Sequence, residues 1–327
     1  MPSLLDMPDM AMDGILENSD FIAVQILRKV CHGLRNYIDD KIPDSKLTRI
    51  SISRTKYLVS IEYVHADYQK VSLSYHDHND SSCVSNGLKD KVINQKPYIE
   101  TFSNDFQLIL RHQKSILIEF TVDMRLATDN KFIDILKNIL DSRTHCLQVN
   151  SFETYVSDTS DVLRILPYLD AKTLKSIGIY VRDSGRFEHE SLLNFNEIVE
   201  LEQWKMAKEV YVSRRVARIP LCHFSHFLVG FVMLKSVTKE GMSGLKEKFQ
   251  QSPEFRNFCI DYSEFQDMDN FLTSLGPAHE FLKERKWFFR TPNDDKCLSI
   301  FYDIPNHQFT FAQIEKEFVP GDAVIQD

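Results

Sequence analysis

Residues 5–45 form the stretch that decides the fold of the N-terminal part, LDMPDMAMDGILENSDFIAVQILRKVCHGLRNYIDDKIPDS. Pro8 suits the start of a helix, because its φ angle is preset and it lacks a backbone donor that the first turn would leave unused. Met12, Ile15 and Leu16 follow at i, i+3 and i+4, so they share one helix face. The spacing therefore predicts a first short amphipathic helix.

A second short helix is predicted directly behind the first. Asp20 is a residue type that caps helix N-termini, since its carboxylate can accept a backbone N–H of the first turn. Val24 and Leu27 would then lie on one side of the helix. The pattern is again that of a short helix with one apolar face.

A third helix is predicted where Val30, Leu34 and Ile38 recur at steps of four. Pro43 ends it, because proline cannot continue a helix. A unit of about 40 residues rarely folds unaided. The three helices either lay apolar residues into the groove of a partner or cap the domain that follows.

The ordered set of residues resembles an F-box: Leu-x-Met-Pro at 5–8, Ile-Leu at 15–16, Phe21, and Leu-Arg-Lys-Val-Cys-His-x-Leu-Arg at 27–35. The F-box is a small helical module that docks on the Skp-type adaptor of a cullin ubiquitin ligase. The resemblance implies that the chain delivers a protein substrate while its partners perform the chemistry. The sequence leaves open which apolar residues face the adaptor and which face the module's own core. The predicted docking residues are Leu5, Met7, Pro8, Met12, Ile15, Leu16, Val24, Leu27, Val30 and Leu34.

Three residues depart from the F-box pattern. Gly14 lies inside the first predicted helix, where glycine costs about 1 kcal/mol relative to alanine. Ser19 and Gln25 stand where F-boxes usually have apolar residues. These departures keep an alternative open: a non-degradative scaffold of a protein or RNA complex whose weakened F-box no longer docks.

The composition is that of a folded protein with reduced thiols. Apolar residues make up 43% and charged residues 26% of the 327 residues. The net charge of −8 argues against a broad nucleic-acid surface. The six cysteines are dispersed, which favours the cytosol or the nucleus over a disulfide framework. No secretory leader opens the chain, and the apolar run 227–234 is too short to cross a membrane, so no membrane contact is predicted.

Four regions are predicted along the chain: an F-box at 1–45, a β-rich connector with a polar loop at 46–102, an α/β repeat domain at 103–315 and a C-terminal tail at 316–327. β-branched and aromatic residues within 50–75 favour a small antiparallel meander. The polar stretch 76–96 is predicted to be a loop.

Segments with helical periodicity alternate with short β-rich runs from about residue 103. The predicted strand centres are Ile118, Val149, Ile177, Tyr211, Met233 and Ile260. This alternation favours an irregular leucine-rich-like solenoid in which neighbouring units bury one another's core. An ordinary globular α/β domain with the same order of elements is the alternative. In either case the fold class is mixed α/β.

The same region resembles the FTH domain of nematode F-box proteins. The matching segments include FQLILRHQK at 106–114, ILKNIL at 135–140, LEQWKMA at 201–207 and WFFR at 287–290. The family places an F-box before this domain, as here. The resemblance implies the substrate receptor of an SCF-type ubiquitin ligase, which binds a cullin through the adaptor and a protein target through the FTH domain.

Strand alternation indicates a receptor surface on the repeat domain. If Val210 and Val212 point into the core, their neighbours in the strand point outward. The same logic applied to the other strands completes the set of predicted substrate-binding residues: Gln148, Tyr180, Glu209, Tyr211, Ser213 and Asp261.

Two clusters contain the residue types of reactive sites. His76-Asp77-His78 with Asp80 and Cys83 lacks the ligand spacing that zinc sites use. Cys222-His223 with His226 lacks an orienting group and an oxyanion donor for catalysis. No glycine-rich phosphate loop is present. We therefore expect no enzyme activity, no metal and no cofactor.

Overall fold

The computed structural model divides the chain into two units. The first consists of Met1–Glu153 with Arg164–Thr173, and the second of Thr154–Leu163 with Leu174–Asp327. The structure describes residues 4, 7–79, 81–93, 95–126, 131–156, 158–181, 192–281 and 284–327.

The first unit opens with three helices, α1 (Asp9–Asn18), α2 (Phe21–Val30) and α3 (His32–Lys41). Pro8 precedes α1, and the Asp20 carboxylate accepts the backbone N–H of Ala23 at 2.6 Å. The predicted cap of the second helix is thus confirmed, as are three N-terminal helices in a mixed α/β protein.

The boundary between α2 and α3 differs from the prediction. Val30 is the last residue of α2, and Cys31 is extended, with φ −156° and ψ 167°. The Cys31 sulfur accepts the backbone N–H of Leu34 at 3.5 Å and thereby caps α3. The prediction that Val30 shares a helix with Leu34 and Ile38 was wrong, because a four-residue spacing does not reveal a single extended residue within it.

The strands that follow α3 in the chain pair antiparallel, each with the next one. They are β1 (Leu47–Thr55), β2 (Leu58–His65), β3 (Lys70–His78), β4 (Ser81–Ser85) and β5 (Asp90–Ile93).

The polar loop predicted at 76–96 was wrong, since the end of β3 and all of β4 and β5 occupy that stretch. Ser82 is fully buried, and its hydroxyl is 2.9 Å from that of Thr101 in the next helix. Ser82 is one of the polar residues that suggested a loop, and it is buried in a strand because Thr101 of the helix gives its hydroxyl a hydrogen-bond partner.

The rest of the first unit alternates helices and strands. Helix α4 (Tyr98–His112) precedes β6 (Leu117–Leu126), which pairs parallel with β1, and α5 (Lys131–Asp141) precedes β7 (Val149–Val156), which lies beside β6. Phe102 of α4 packs on Phe106 and on Phe132 of α5, with ring centroids 5.5 and 5.3 Å apart. The core of this unit therefore lies between the sheet and the two helices.

The second unit contains a run of parallel strands. The described elements are α6 (Thr159–Leu163), β8 (Ser176–Val181), α7 (Glu202–Met206), β9 (Glu209–Val216), β10 (Val229–Thr238), α8 (Lys239–Gln251), β11 (Asn257–Gln266) and α9 (Met268–Ser274). Every predicted strand centre lies in a strand. The leucine-rich-like interpretation of this alternation stays a prediction.

The second unit ends in antiparallel strands that the repeat pattern did not predict. These are β12 (His279–Phe281), β13 (Glu284–Arg290), β14 (Lys296–Asp303) and β15 (Gln308–Glu315), and β15 pairs antiparallel with β11. The segment predicted as a tail returns to the sheet, because β16 (Ile325–Gln326) pairs parallel with β13.

Candidate functional site

The three N-terminal helices pack around a small apolar core. Leu16, Val24 and Ile38 form its centre, with Leu27 and Tyr37 packed against it. The predicted docking residues therefore divide into groups. Met12, Leu16, Val24 and Leu34 are buried, Ile15 and Leu27 are partly exposed, and Met7, Pro8 and Val30 are exposed. Leu5 lies outside the described residues.

The outer face of α2 carries a row of apolar side chains. Ile22, Ile26 and Val30 are 38%, 59% and 64% exposed. They follow one another at steps of four, so they share a helix face. We call these three residues the α2 stripe. Of these three residues, only Val30 was predicted to dock on the adaptor. The sequence does contain a signal for the other two, because apolar residues on two faces of a helix indicate that both faces are buried.

Polar contacts join α2, which carries the stripe, to α3, and α3 to α1. Arg28 donates to both carboxylate oxygens of Asp39 at 2.6 and 2.9 Å, and these hydrogen bonds lower the pKa of Asp39. The Tyr37 hydroxyl donates to the Asp13 carboxylate at 2.7 Å. Lys41 donates to the other Asp13 oxygen at 2.8 Å. The α2 stripe is therefore presented by helices that are tied to one another.

The residues that depart from the F-box pattern have identifiable surroundings. A Cβ atom added at Gly14 would meet no atom within 4 Å. The Ser19 hydroxyl donates to the Ile15 carbonyl at 2.7 Å and so satisfies a carbonyl at the end of α1. Gln25 is partly exposed. Gly14 and Ser19 are thus compatible with the observed helix.

The predicted substrate-binding residues of the second unit lie on the face of the sheet away from its core. Val210 and Val212 are fully buried, and Ser213 beside them is exposed. Glu209 and Tyr211 are partly exposed, and burial raises the pKa of Tyr211, with a smaller contribution from Glu209. The alternation that the sequence predicted in β9 is confirmed.

Two more of these predicted residues have partners in the same unit. The Asp261 carboxylate accepts a hydrogen bond from Arg215 at 2.8 Å. The Tyr180 ring stacks on that of Tyr155, with centroids 4.9 Å apart. A substrate at this face would meet side chains that already bind one another.

Gln148 of the first unit lies elsewhere, in the wall of a groove with a volume of about 770 Å³. The last turn of α4 contributes Arg111, and Lys114 follows the end of that helix. The segment between α5 and β7 contributes Arg143 and His145. We call this the basic groove. The cationic residues Arg111 and Lys114 are distant in sequence from Arg143, which is why the sequence did not reveal the groove.

The structure describes the histidine and cysteine residues of both clusters that the sequence singled out. No group of three or more potential metal ligands converges among the described residues, and Asp80 lies outside them. His226 Nε2 is 2.9 Å from the Trp204 carbonyl, and the Trp204 indole N–H donates to the His223 carbonyl at 3.1 Å. Burial lowers the pKa of His226, so its neutral form is favoured.

Comparisons with known proteins support the resemblance found in the sequence. The family model of the FTH domain matches residues 130–277. F-box A protein 224 of Caenorhabditis elegans is 23% identical over 302 residues, which cover 90% of this chain and 76% of that protein. No solved structure matches. No helix in the described part of the chain is long and apolar enough to span a membrane.

Proposed function

Because a family model of the FTH domain matches residues 130–277 and a nematode F-box A protein is similar over 90% of the chain, we propose that the chain is the substrate-recognition subunit of an SCF-type ubiquitin ligase. In this proposal α1–α3 dock on a Skp-type adaptor, which recruits a cullin. The remaining part of the chain binds a protein target for ubiquitination and degradation.

The observation that carries the proposal is the α2 stripe. Ile22, Ile26 and Val30 form an apolar face on a short helix, which is the pattern of a helix that docks in a groove. Complete burial of a side chain of this size contributes about 1.5–3 kcal/mol. Docking on an adaptor would remove this face from water.

The chain itself acts in this proposal as a non-catalytic receptor in the cytosol or nucleus, without cofactor. Its contribution to the reaction is proximity, since it holds the target where its partners transfer ubiquitin. Holding two reactants together replaces an encounter in solution by a step within one complex.

The proposal predicts that charges in the α2 stripe weaken adaptor binding strongly. Ile26→Asp with Val30→Asp places two carboxylates where apolar contacts with the adaptor form, so affinity should fall at least about tenfold. Binding of the full chain to purified Skp-type adaptor is measured by calorimetry or biolayer interferometry. The matched control is Leu88→Asp, because Leu88 is 91% exposed in a turn far along the sequence from α2.

The outcome is informative because both stripe residues are exposed, so the variant should keep the wild-type circular dichroism spectrum and unfolding temperature. Leu16→Asp would not serve, since Leu16 is 3% exposed and a charge there disrupts the helices themselves. Adaptor binding that survives the double substitution, or a wild-type chain that does not bind adaptor, would contradict the proposal.

The alternative, a non-degradative scaffold, rests on Gly14, Ser19 and Gln25. Purification of the tagged chain from cells distinguishes it, because a scaffold of this kind would be recovered without adaptor and cullin. Gly14 inside an intact α1 and Ser19 at its C-terminal cap do not favour this alternative.

A further inference from the structure

The basic groove of the first unit has a cationic lining. Arg111, Lys114, Arg143 and His145 line it, and none of its described lining residues is an aspartate or a glutamate. In the part of the chain that the structure describes, none of these four side chains forms an ion pair. The groove therefore offers the positive charge of Arg111, Lys114 and Arg143 with no carboxylate in its described lining, and the Asp39 carboxylate outside the lining interacts electrostatically with Arg111.

The backbone around these cations is held in place. Arg143 donates to the Leu110 and Gln113 carbonyls at the end of α4. The Ser142 hydroxyl donates to the Ile139 carbonyl at 2.7 Å near the end of α5. These contacts satisfy helix C-terminal carbonyls, whose negative partial charge would otherwise oppose an anion in the groove.

The other cations are anchored through their main chain and keep their charged ends available. Asp44 accepts the backbone N–H of Lys114 at 2.9 Å, and the Lys114 side chain is exposed. Arg111 donates to the backbone carbonyl of Asp39 at 3.2 Å, which does not neutralise its charge. A guanidinium can bind carboxylate or phosphate oxygens through its remaining donors.

From this arrangement we infer that the basic groove binds an anionic peptide segment, one that carries carboxylate or phosphate groups, of the protein that the chain recruits. The inference rests on the proposed function, since it names the kind of target. The volume of about 770 Å³ lies in the range that accommodates several side chains. Amide side chains of Asn104, Gln107 and Gln148 supply donors and acceptors for the backbone of an extended segment.

A peptide fits the groove better than a nucleic acid does. The chain has a net charge of −8, which repels a long polyanion beyond the reach of the groove. Single-stranded nucleic acids are held by stacking on aromatic rings, and no phenylalanine, tyrosine or tryptophan occurs among the described lining residues. A short peptide segment needs no aromatic ring, because its anionic groups can bind the cations of the groove directly.

The test measures binding of the full chain to labelled peptides by fluorescence polarisation. Three peptides share one neutral background and carry Glu, phosphoserine or Gln at the same positions. The Glu or the phosphoserine peptide should bind, and the one that binds more tightly identifies the anionic group. Binding should weaken as salt is raised, because mobile ions screen exposed charges.

Two variants locate the binding site. Lys114→Glu and Arg111→Gln each remove a cation whose side chain lies at the surface, and each should weaken binding about tenfold. Lys89→Glu is the control, since it makes the same charge change in an exposed turn of the same unit that does not line the groove. Cys146 is exposed in the groove, so bound peptide should also slow its alkylation by iodoacetamide.

Several results would overturn the inference: equal binding of the Gln peptide, peptide affinity that Lys114→Glu leaves unchanged, or tighter binding of a single-stranded RNA oligonucleotide. Failure of the proposed function would look different. Adaptor binding should be intact in Lys114→Glu, while peptide binding should be intact in the double substitution of the α2 stripe. Each proposal can therefore fail without the other.

Discussion

At the residue scale, one polar side chain, Gln113, joins the end of α4 to the start of β1. Gln113 is buried, and its amide accepts the Leu47 N–H at 3.2 Å and donates to the Leu47 carbonyl at 2.9 Å. This side chain thus satisfies both backbone groups at the start of β1, as a neighbouring strand would. An unpaired buried backbone group costs about 1–3 kcal/mol, so Gln113 fixes where the sheet begins.

His112 should make the stability of the chain depend on pH. It is 1% exposed, its Nδ1 lies 3.1 Å from the Pro43 carbonyl, and its Nε2 is buried without a partner. Burial lowers the pKa of His112 below its usual value of 6.5, although the hydrogen bond to Pro43 and the charge of Asp39 act in the opposite direction. The folded state therefore takes up the proton less readily than the unfolded state.

Above about pH 6.5 both states carry a neutral imidazole, and His112 adds no pH dependence. As the pH falls through that value, the unfolded state binds the proton first and folding stability decreases. His112→Asn keeps a donor for Pro43 but does not titrate. Urea unfolding at pH 7.5 and 5.5 should show a smaller loss of stability for the variant, because buried His226 contributes equally to both proteins. An equal loss would contradict this assignment.

Gly14 offers the simplest stabilising substitution. It lies inside α1, and a Cβ atom added there would meet open space. Gly14→Ala should raise the free energy of unfolding of the helices by up to about 1 kcal/mol, since alanine loses less backbone entropy on folding. Chemical denaturation of the full chain with its helical signal followed by circular dichroism measures this. A decrease in stability would contradict the open surroundings of Gly14.

At the element scale, alternating burial sorts each strand of the second unit into a core face and an outer face. In β10, Gly230, Val232 and Leu234 are buried, while Phe231 and Met233 between them are partly exposed. Register places Gly230 beside Val210 of β9 and Phe258 of β11. The core has no room for side chains at all three positions. Gly230 therefore leaves the space that the Val210 and Phe258 side chains occupy.

Gly230→Ala should therefore destabilise the second unit. Its Cβ would lie 2.4 Å from a ring carbon of Phe258 and 3.0 Å from a methyl of Val210. Overpacking of this kind costs about 1–3 kcal/mol. The matched control is Gly244→Ala, where the same methyl would enter open space on α8. Thermal unfolding should show a lower midpoint for Gly230→Ala alone, and equal midpoints would refute the packing argument.

At the scale of the whole molecule, each unit combines parallel and antiparallel pairing. In the first, the antiparallel strands β1–β5 give way to parallel pairing between β1 and β6. In the second, the parallel strands β8–β11 give way to the antiparallel strands β12–β15. An edge strand of each unit is short, since β5 of the first unit has four residues and β12 of the second has three. Short edge strands limit pairing with other chains.

The features that could be predicted from the sequence are those that depend on near neighbours in the chain. Helical spacing identified α1 and α2, Asp20 identified a cap, and alternation identified the buried residues of β9. These features follow from the period of the backbone, which any short window of sequence contains. The alternation of helices and strands from α4 to β11, and with it the mixed α/β class, could be predicted for the same reason, whereas β4, β5 and β12–β15 were missed.

Tertiary structure alone decided which surfaces remain open. Leu16 and Ile26 are both apolar and helical, yet packing of α1–α3 buries the first and exposes the second. The basic groove requires α4 and the segment after α5 to meet, as when Arg143 binds the Leu110 carbonyl across 33 residues of chain. Which apolar helix face stays exposed and where charged side chains cluster depend on contacts between distant segments, so local periodicity does not reveal them.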